Sequence, residues 1–169
     1  MALIPDMTSD CANCSALCCI ALAFDAGDDF AIDKPAGLPC PNLNGKLGCS
    51  LYNHLEESGF PGCVAYECRG AGQRVTQEVF KGDTWAKTPD ITQPMLAAFA
   101  TMRQIHDGIE LLLVAERLDL PDSYEAEREA LLELYAPDEG WTQESLEAFS
   151  ASDAPARLKA FLPRLRDFV

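Results

Sequence analysis

The sequence predicts a mainly α-helical protein, built from an irregular, cysteine-rich N-terminal module and a small helical bundle. Three observations support this fold class. All eight cysteines lie within the first 68 residues, Gly, Pro and Asn are frequent in the same region, and apolar residues recur at helical spacing beyond residue 90. We therefore predict two parts, with residues 1–83 as the module and residues 90–169 as the bundle.

The module opens with a predicted helix over residues 10–23, where cysteines follow one another at intervals of three and four. A helix here would place Cys11, Cys14 and Cys18 within about 60° of one another on one face. Cys19 would point toward a different neighbour, because consecutive side chains on a helix diverge.

The rest of the module carries frequent turn signals and only short apolar pieces. Leu38–Asn42 and Gly59–Gly62 combine Pro with Gly or Asn, which is typical of turns. A short helix is predicted around His54. A segment of this composition cannot bury a large continuous core, so it needs a covalent or metal staple.

The first two bundle helices are predicted from apolar periodicity and from their ends. Thr92 can cap a helix that runs to about Leu118. Asp122 or Ser123 can cap a second helix, which Pro137 closes.

Two more helices complete the predicted bundle. Thr142 is placed to cap the third helix, and the fourth follows Asp153. Pro163 should kink the fourth helix, because proline lacks the N–H that a helix interior uses. Trp85 and Trp141 lie at segment boundaries, where they can pack the two parts together.

The net charge and the hydropathy of the chain limit which cellular compartment and which binding partners are expected. The chain begins without the basic start and apolar run of a secretory signal, and no run approaches the ~20 apolar residues of a membrane span. We therefore expect a cytoplasmic protein. The net charge is −14 and no basic patch is visible, so neither nucleic acid nor an anionic membrane is an expected partner.

Eight clustered cysteines can reflect a metal site, a disulfide framework or redox catalysis. In a reducing cytosol the metal site is favoured, and the other two causes stay open. Eight thiolates can hold two zinc ions with four cysteines each, or a two-metal cluster with shared thiolates. The adjacent pair Cys18 and Cys19 suits two neighbouring ions, or a ligand beside a bridging position. The candidate ligands are Cys11, Cys14, Cys18, Cys19, Cys40, Cys49, Cys63 and Cys68.

This cysteine pattern resembles the zinc- or iron-chelating domain family of bacteria, which is known for a Cys-x-x-Cys…Cys-Cys opening and eight cysteines. The spans Asp29–Lys34 and Gly59–Gln73 are similar to a subgroup found at the front of some pentapeptide-repeat proteins. The resemblance covers roughly residues 11–80 and implies that all eight cysteines are candidate metal ligands. Helical sequence follows here in place of a pentapeptide repeat, so a role carried by that repeat is not expected.

Zinc is favoured over iron as the metal. Zinc accepts four thiolates without redox consequences, and cysteines on loops suit it. The bacterial ferredoxin run Cys-x2-Cys-x2-Cys-x3-Cys-Pro is absent. Iron or an iron–sulfur cluster is the alternative.

No catalytic residues are assigned. His54 is expected on a surface helix, with metal ligation as the alternative, and His106 is expected at the flank of a bundle helix. A Cys/His nucleophilic pair lacks an oxyanion-forming motif. The favoured function is therefore structural metal binding that presents a surface to another protein. The alternatives are an iron–sulfur protein with a redox or enzymatic role, and metal storage or delivery.

Overall fold

A computed structural model describes residues 3–169 as a mainly helical protein, which confirms the predicted fold class at that level. Within these residues the extended chain forms two isolated β-bridges, Phe24 with Lys34 and Leu43 with Cys49, and no longer strand. The α-helices are α1 (Leu17–Ala21), α2 (Pro61–Ala65), α3 (Ala71–Arg74), α4 (Thr92–Ala115), α5 (Asp122–Tyr135), α6 (Gln143–Ala151) and α7 (Ala154–Phe161).

Helix α4 lies at the centre of the molecule and contacts α1, α3, α5 and α6. Its 24 residues span about 36 Å at ~1.5 Å per residue. One face is buried along its whole length, as the apolar periodicity predicts, although the helix ends at Ala115 and not near Leu118. The core residues on this face include Met95, Phe99, Met102, Ile105, Ile109 and Leu112.

The third and fourth bundle helices begin where they are predicted to begin. The hydroxyl of Thr142 accepts a hydrogen bond from the N–H of Ser145 at 3.1 Å, which caps α6. Helix α7 changes into a 3₁₀ helix over Leu162–Phe168, at the position of Pro163. The distortion expected from this proline is confirmed.

The predicted caps of the first two bundle helices are wrong. Thr92 is already the first residue of α4, and its hydroxyl donates to the carbonyl of Pro89 at 2.7 Å. A 3₁₀ turn over Pro89–Ile91 runs directly into α4, which replaces a side-chain cap. Helix α5 starts at Asp122 behind Pro121 and likewise has no side-chain cap from Asp122 or Ser123.

The predicted helix over residues 10–23 is also wrong. A 3₁₀ turn, Cys11–Asn13, is followed by a break in which Ala16 adopts a left-handed conformation with φ 55°. Only the five residues of α1 then form an α-helix. Because of this break, Cys11, Cys14 and Cys18 do not lie on one continuous helix.

The buried apolar residues of both predicted parts belong to one core. Leu17, Ile20, Ala71 and Val75 pack in the same cluster as the buried faces of α4–α7. Trp85, in the link between the predicted parts, packs against this core, and its indole N–H donates to the carbonyl of Ser15 at 2.7 Å. The division into residues 1–83 and 90–169 stays a prediction. No helix in residues 3–169 combines the length and apolar character needed to cross a membrane.

Candidate metal centre

All eight cysteines are free thiols in the structure. Cys11 is exposed and the other seven are half-buried. They come from turns, loops and the short helices α1 and α2.

Two cysteines flank the start of α3. The Sγ atom of Cys14 lies against Gly72, where a Cβ atom would come within 2.6 Å of it. Cys68 precedes the helix, and its carbonyl accepts a hydrogen bond from the N–H of Ala71 at 3.0 Å. The hydroxyl of Ser9 lies 3.1 Å from the sulfur of Cys68. Only glycine at position 72 leaves room for the Cys14 sulfur at this distance.

Cys11 joins these two cysteines from its 3₁₀ turn. Asp10, which caps that turn, donates its backbone N–H to the side-chain oxygen of Gln73 at 3.1 Å. Burial raises the pKa of the Cys11 thiol, and negative charge at Cys18 and Cys68 raises it further. These thiols therefore lie within electrostatic range of one another. The α3 thiol group consists of Cys11, Cys14 and Cys68.

Burial raises the pKa of the Cys14 thiol to about 12. The backbone N–H groups of Leu17 and Ala16 act in the opposite direction, because N–H donors favour a thiolate over a thiol, but burial outweighs them.

Three further cysteines are tied together through the backbone of the loop that follows α1. Cys40 donates its N–H to the carbonyl of Cys19 at 3.0 Å. The carbonyl of Cys40 accepts from the N–H of Leu43 at 3.0 Å, and Leu43 pairs with Cys49 in a β-bridge. Cys40 follows Cys19 by 21 residues in the sequence, and Cys49 follows Cys40 by 9. The backbone bonds place Cys40 beside Cys19, and Cys49 beside Leu43.

Cys63 lies on α2, where its N–H donates to the carbonyl of Phe60 at 3.0 Å. Burial raises the pKa of the Cys63 thiol to about 11, and negative charge at Cys18, Cys40 and Cys49 contributes in the same direction. The loop thiol group consists of Cys19, Cys40, Cys49 and Cys63.

Cys18 lies between the two groups. Its Sγ atom is 3.8 Å from that of Cys19, and this hydrogen bond, followed by burial, raises the pKa of Cys18. Charge at Cys18 acts on Cys14 of the α3 thiol group and on Cys63 of the loop thiol group. The adjacent cysteines Cys18 and Cys19 therefore lie between the α3 thiol group and the loop thiol group.

Lys34 is a buried cation beside these thiols that the sequence analysis does not single out. It is only 3% exposed. Burial lowers its pKa, while negative charge at Cys40, Cys19 and Cys18 acts to raise it. Its ammonium group would partly offset the charge of neighbouring thiolates. Its Nζ atom donates to the carbonyl oxygens of Ile20, Pro35 and Leu38 at 3.4, 3.0 and 2.9 Å.

Tyr66 is a second residue that sequence reasoning misses. Its hydroxyl is buried and has no hydrogen-bond partner within residues 3–169. Burial raises the pKa of Tyr66, Arg103 opposes this effect, and charge at Cys18 and Cys68 adds to it. The Arg103 guanidinium lies 5.4 Å from the centre of the Tyr66 ring. In the sequence, the only feature that points to Tyr66 is its position two residues before Cys68.

Neither histidine faces the thiols. The side chain of His54 is 69% exposed and lies 3.5 Å from Glu57. His106 was expected at a helix flank but is fully buried, because α3 and the residues before it cover this side of α4. Its Nδ1–H donates to the carbonyl of Arg69. Burial lowers the pKa of His106 to about 4, so the ring is neutral near pH 7.

The donor chemistry of the thiols fits a thiophilic metal, but no closed coordination shell is formed. Among residues 3–169, no group of three or more His, Cys, Asp and Glu side chains has the arrangement needed to hold a metal ion. Soft sulfur donors with a buried Lys34 nearby are nevertheless suited to zinc or iron. The sulfurs of Cys18 and Cys19 lie 3.8 Å apart, and a bound ion would have to draw further thiols toward them.

Comparison with known proteins gives one informative relative. The chain is 42% identical over 115 residues to the uncharacterised protein YybG of Bacillus subtilis (strain 168), an alignment that covers 68% of this chain and 41% of YybG. The chain therefore spans about two fifths of the length of the relative it matches. No family model and no solved structure matches the chain.

Proposed function

We propose that this protein binds metal through its cysteine thiolates, in a mainly structural site that presents a surface to another protein. The observation that carries the proposal is the set of eight free thiols within 68 residues, with the sulfurs of Cys18 and Cys19 3.8 Å apart and the backbone of Cys40 hydrogen-bonded to that of Cys19. Cysteines that served only as small apolar residues would not need to be clustered in this way.

Zinc is the proposed metal, with about two ions for eight thiols. Four thiolates satisfy one tetrahedral zinc ion, and loop-borne donors can adjust to it. Iron or an iron–sulfur cluster, with a redox or enzymatic role, is the alternative, because such centres also take four thiolates.

The structural role is supported by the chain between α1 and α2. In this described stretch the regular backbone structure is a 3₁₀ turn, Tyr52–His54, and the two β-bridges. A bound metal would hold such a segment, in which regular helix and sheet are scarce. Leu38 and Tyr52 in this stretch, and Val64 on α2, are more than half exposed, which suits contact with a protein partner.

The family of the chain and its cellular compartment are also proposed from the clustered cysteines. The eight-cysteine pattern supports membership of the zinc- or iron-chelating domain family as a proposal, and YybG is described only as uncharacterised. A cytoplasmic location follows from the reducing conditions that keep clustered thiols available for metal. The net charge of −14 argues against nucleic acid or an anionic membrane as partner.

The test is quantitative zinc and iron analysis of the untagged, full-length protein, purified under reducing conditions without air. We expect about two zinc ions per chain and a colourless protein. Cys14→Ser and Cys63→Ser should each lose metal and solubility, since structural zinc supplies ~10–16 kcal/mol of folding free energy in small modules. His54→Ala is the matched control and should keep its metal, because this side chain is largely in solvent and lies beside Glu57.

Two outcomes decide between the proposal and its alternatives. A brown protein that contains iron would favour the iron–sulfur alternative over zinc. Protein that was kept under reducing conditions and contains no metal would contradict metal binding altogether. So would protein whose eight cysteines form four disulfides under the same conditions.

A further inference from the structure

A groove of about 420 Å³ lies between the N-terminal half of α4 and the chain around the end of α1. Ligand clefts in proteins measure ~300–1,000 Å³, so a small molecule fits this volume. One wall consists of Ala21 and Leu22 at the end of α1, with Ala36 and Gly37 of the following loop. Among the described residues that line the groove there is no cysteine, so it is a different site from the candidate metal centre.

The opposite wall is a single stripe along α4. It consists of Gln93, Leu96, Ala100 and Arg103. Their spacing of three, four and three residues places them on one face of the helix. At ~1.5 Å per residue the stripe is about 15 Å long. Phe99 of the core also lines the groove, so most of its surface is hydrocarbon and suits a ligand with an extended apolar body.

Arg103 gives one end of this stripe a positive charge. Of the described residues that line the groove, it alone is charged. None of the ion pairs within residues 3–169 includes Arg103. Asp107, one helical turn further along α4, pairs with Arg69 at 2.9 Å instead. The charge of Arg103 is therefore available to an anion in the groove, in a chain whose net charge is −14.

The Arg103 side chain is also held in place before any ligand binds. Its guanidinium lies 5.4 Å from the centre of the Tyr66 ring, a cation–π contact that restricts its rotamers. A guanidinium presents paired N–H donors that match the two oxygens of a carboxylate. A partly buried arginine with no acidic partner is thus suited to receive a carboxylate from a ligand.

We propose that this groove binds a small molecule with an extended apolar body and a terminal carboxylate. The carboxylate pairs with Arg103, and the apolar body lies along Leu96 and Ala100 against the wall formed by α1 and its following loop. This site does not involve the thiols, so the proposal stands or falls independently of metal binding.

The experiment first compares three probes by isothermal titration calorimetry on the full-length protein, purified under reducing conditions. Octanoate has both the apolar body and the carboxylate. Octylamine carries a positive charge in place of the carboxylate, and acetate lacks the apolar body. We expect octanoate to bind, and each of the others to bind at least about tenfold more weakly. No binding of octanoate, or equal affinity for octylamine or acetate, would overturn the proposal.

Two matched pairs of variants then locate the octanoate site. Arg103→Gln should weaken binding about tenfold, whereas Arg157→Gln, at an exposed position on α7, should not change it. Ala100→Trp fills the groove and should abolish binding. Ala97→Trp places the same side chain at an exposed position of α4 outside the groove and should leave binding intact.

The Ala100→Trp result decides the matter if Arg103→Gln fails to fold, because Ala100 is exposed and tolerates a larger side chain. Octanoate that bound Ala100→Trp as tightly as the unaltered protein would occupy another part of the surface. That outcome would overturn the assignment of the groove, and so would equal losses of affinity in Ala97→Trp and Ala100→Trp.

Discussion

At the scale of single residues, Tyr66 places a buried hydroxyl without a hydrogen-bond partner beside the thiols. A buried, unsatisfied polar group costs about 1–3 kcal/mol. Tyr66→Phe removes this hydroxyl and keeps the ring that packs near Arg103. We therefore expect the metal-free variant to be as stable as the unaltered protein or more stable by about 1 kcal/mol, as measured by urea unfolding.

Tyr52→Phe is the matched control for this prediction. The Tyr52 side chain is exposed, so loss of its hydroxyl should leave the free energy of unfolding unchanged. A clear destabilisation by Tyr66→Phe alone would mean that the Tyr66 hydroxyl has a partner that stabilises the fold.

His106 leads to a prediction about pH. Burial lowers its pKa from an ordinary 6.5 to about 4, so the unfolded chain takes up this proton at higher pH than the folded protein does. The contribution of the neutral ring is fully present above pH 6.5 and is lost as the pH falls toward about 4. His106→Asn should remove this part of the pH dependence of stability, as measured by urea unfolding between pH 7 and about 4.

The exposed His54 provides the control. His54→Asn should keep the pH profile of the unaltered protein, because that side chain is largely in solvent. The free energy of unfolding of His106→Asn could instead depend on pH as strongly as that of the unaltered protein. In that case His106 would bind a proton as readily in the folded protein as in the unfolded chain.

At the scale of elements, α3 packs against the Cys14 side chain at Gly72, where only glycine fits. Alanine in place of glycine usually stabilises a helix by about 1 kcal/mol. At Gly72 the added Cβ would lie 2.6 Å from the Cys14 sulfur and 3.8 Å from Phe99. We expect Gly72→Ala to displace Cys14 and to lose one of the two zinc ions, as measured by metal analysis.

Gly45→Ala is the control at this scale, because nothing lies within 4 Å of the added Cβ atom. Its zinc content should equal that of the unaltered protein. Full zinc content in Gly72→Ala would show that Cys14 can move away from α3 without leaving its ion, or that it is not a ligand.

At the scale of the whole molecule, metal removal should affect the two parts differently. Leu17, Ile20, Ala71 and Val75 anchor the ends of the cysteine-rich region in the core that α4–α7 share. The chain between Cys19 and Cys63 lacks such anchors over most of its length, so a strong chelator should make it sensitive to protease. Far-ultraviolet circular dichroism should fall only partly, because α4–α7 keep their buried faces.

The competing outcome is one cooperative transition. A chelator that removed all helical signal in a single step would show that the whole molecule depends on metal. It would also reject the predicted division into residues 1–83 and 90–169.

The sequence by itself determined the helical bundle, because the signals for a helix are local. Apolar spacing located α4–α7 within a few residues, and Thr142 and Pro163 marked a cap and a distortion that the structure contains. The eight cysteines and the metal hypothesis were also visible in the sequence.

Only the tertiary structure decided how the thiols are grouped and what surrounds them. The left-handed Ala16 breaks the predicted helix, and contacts over many residues bring Cys14 to Gly72 and Cys40 to Cys19. Burial of His106 depends in the same way on packing against distant segments. Spacing along a chain constrains neighbours within a few residues, whereas these arrangements follow from the packing of segments that no local pattern specifies.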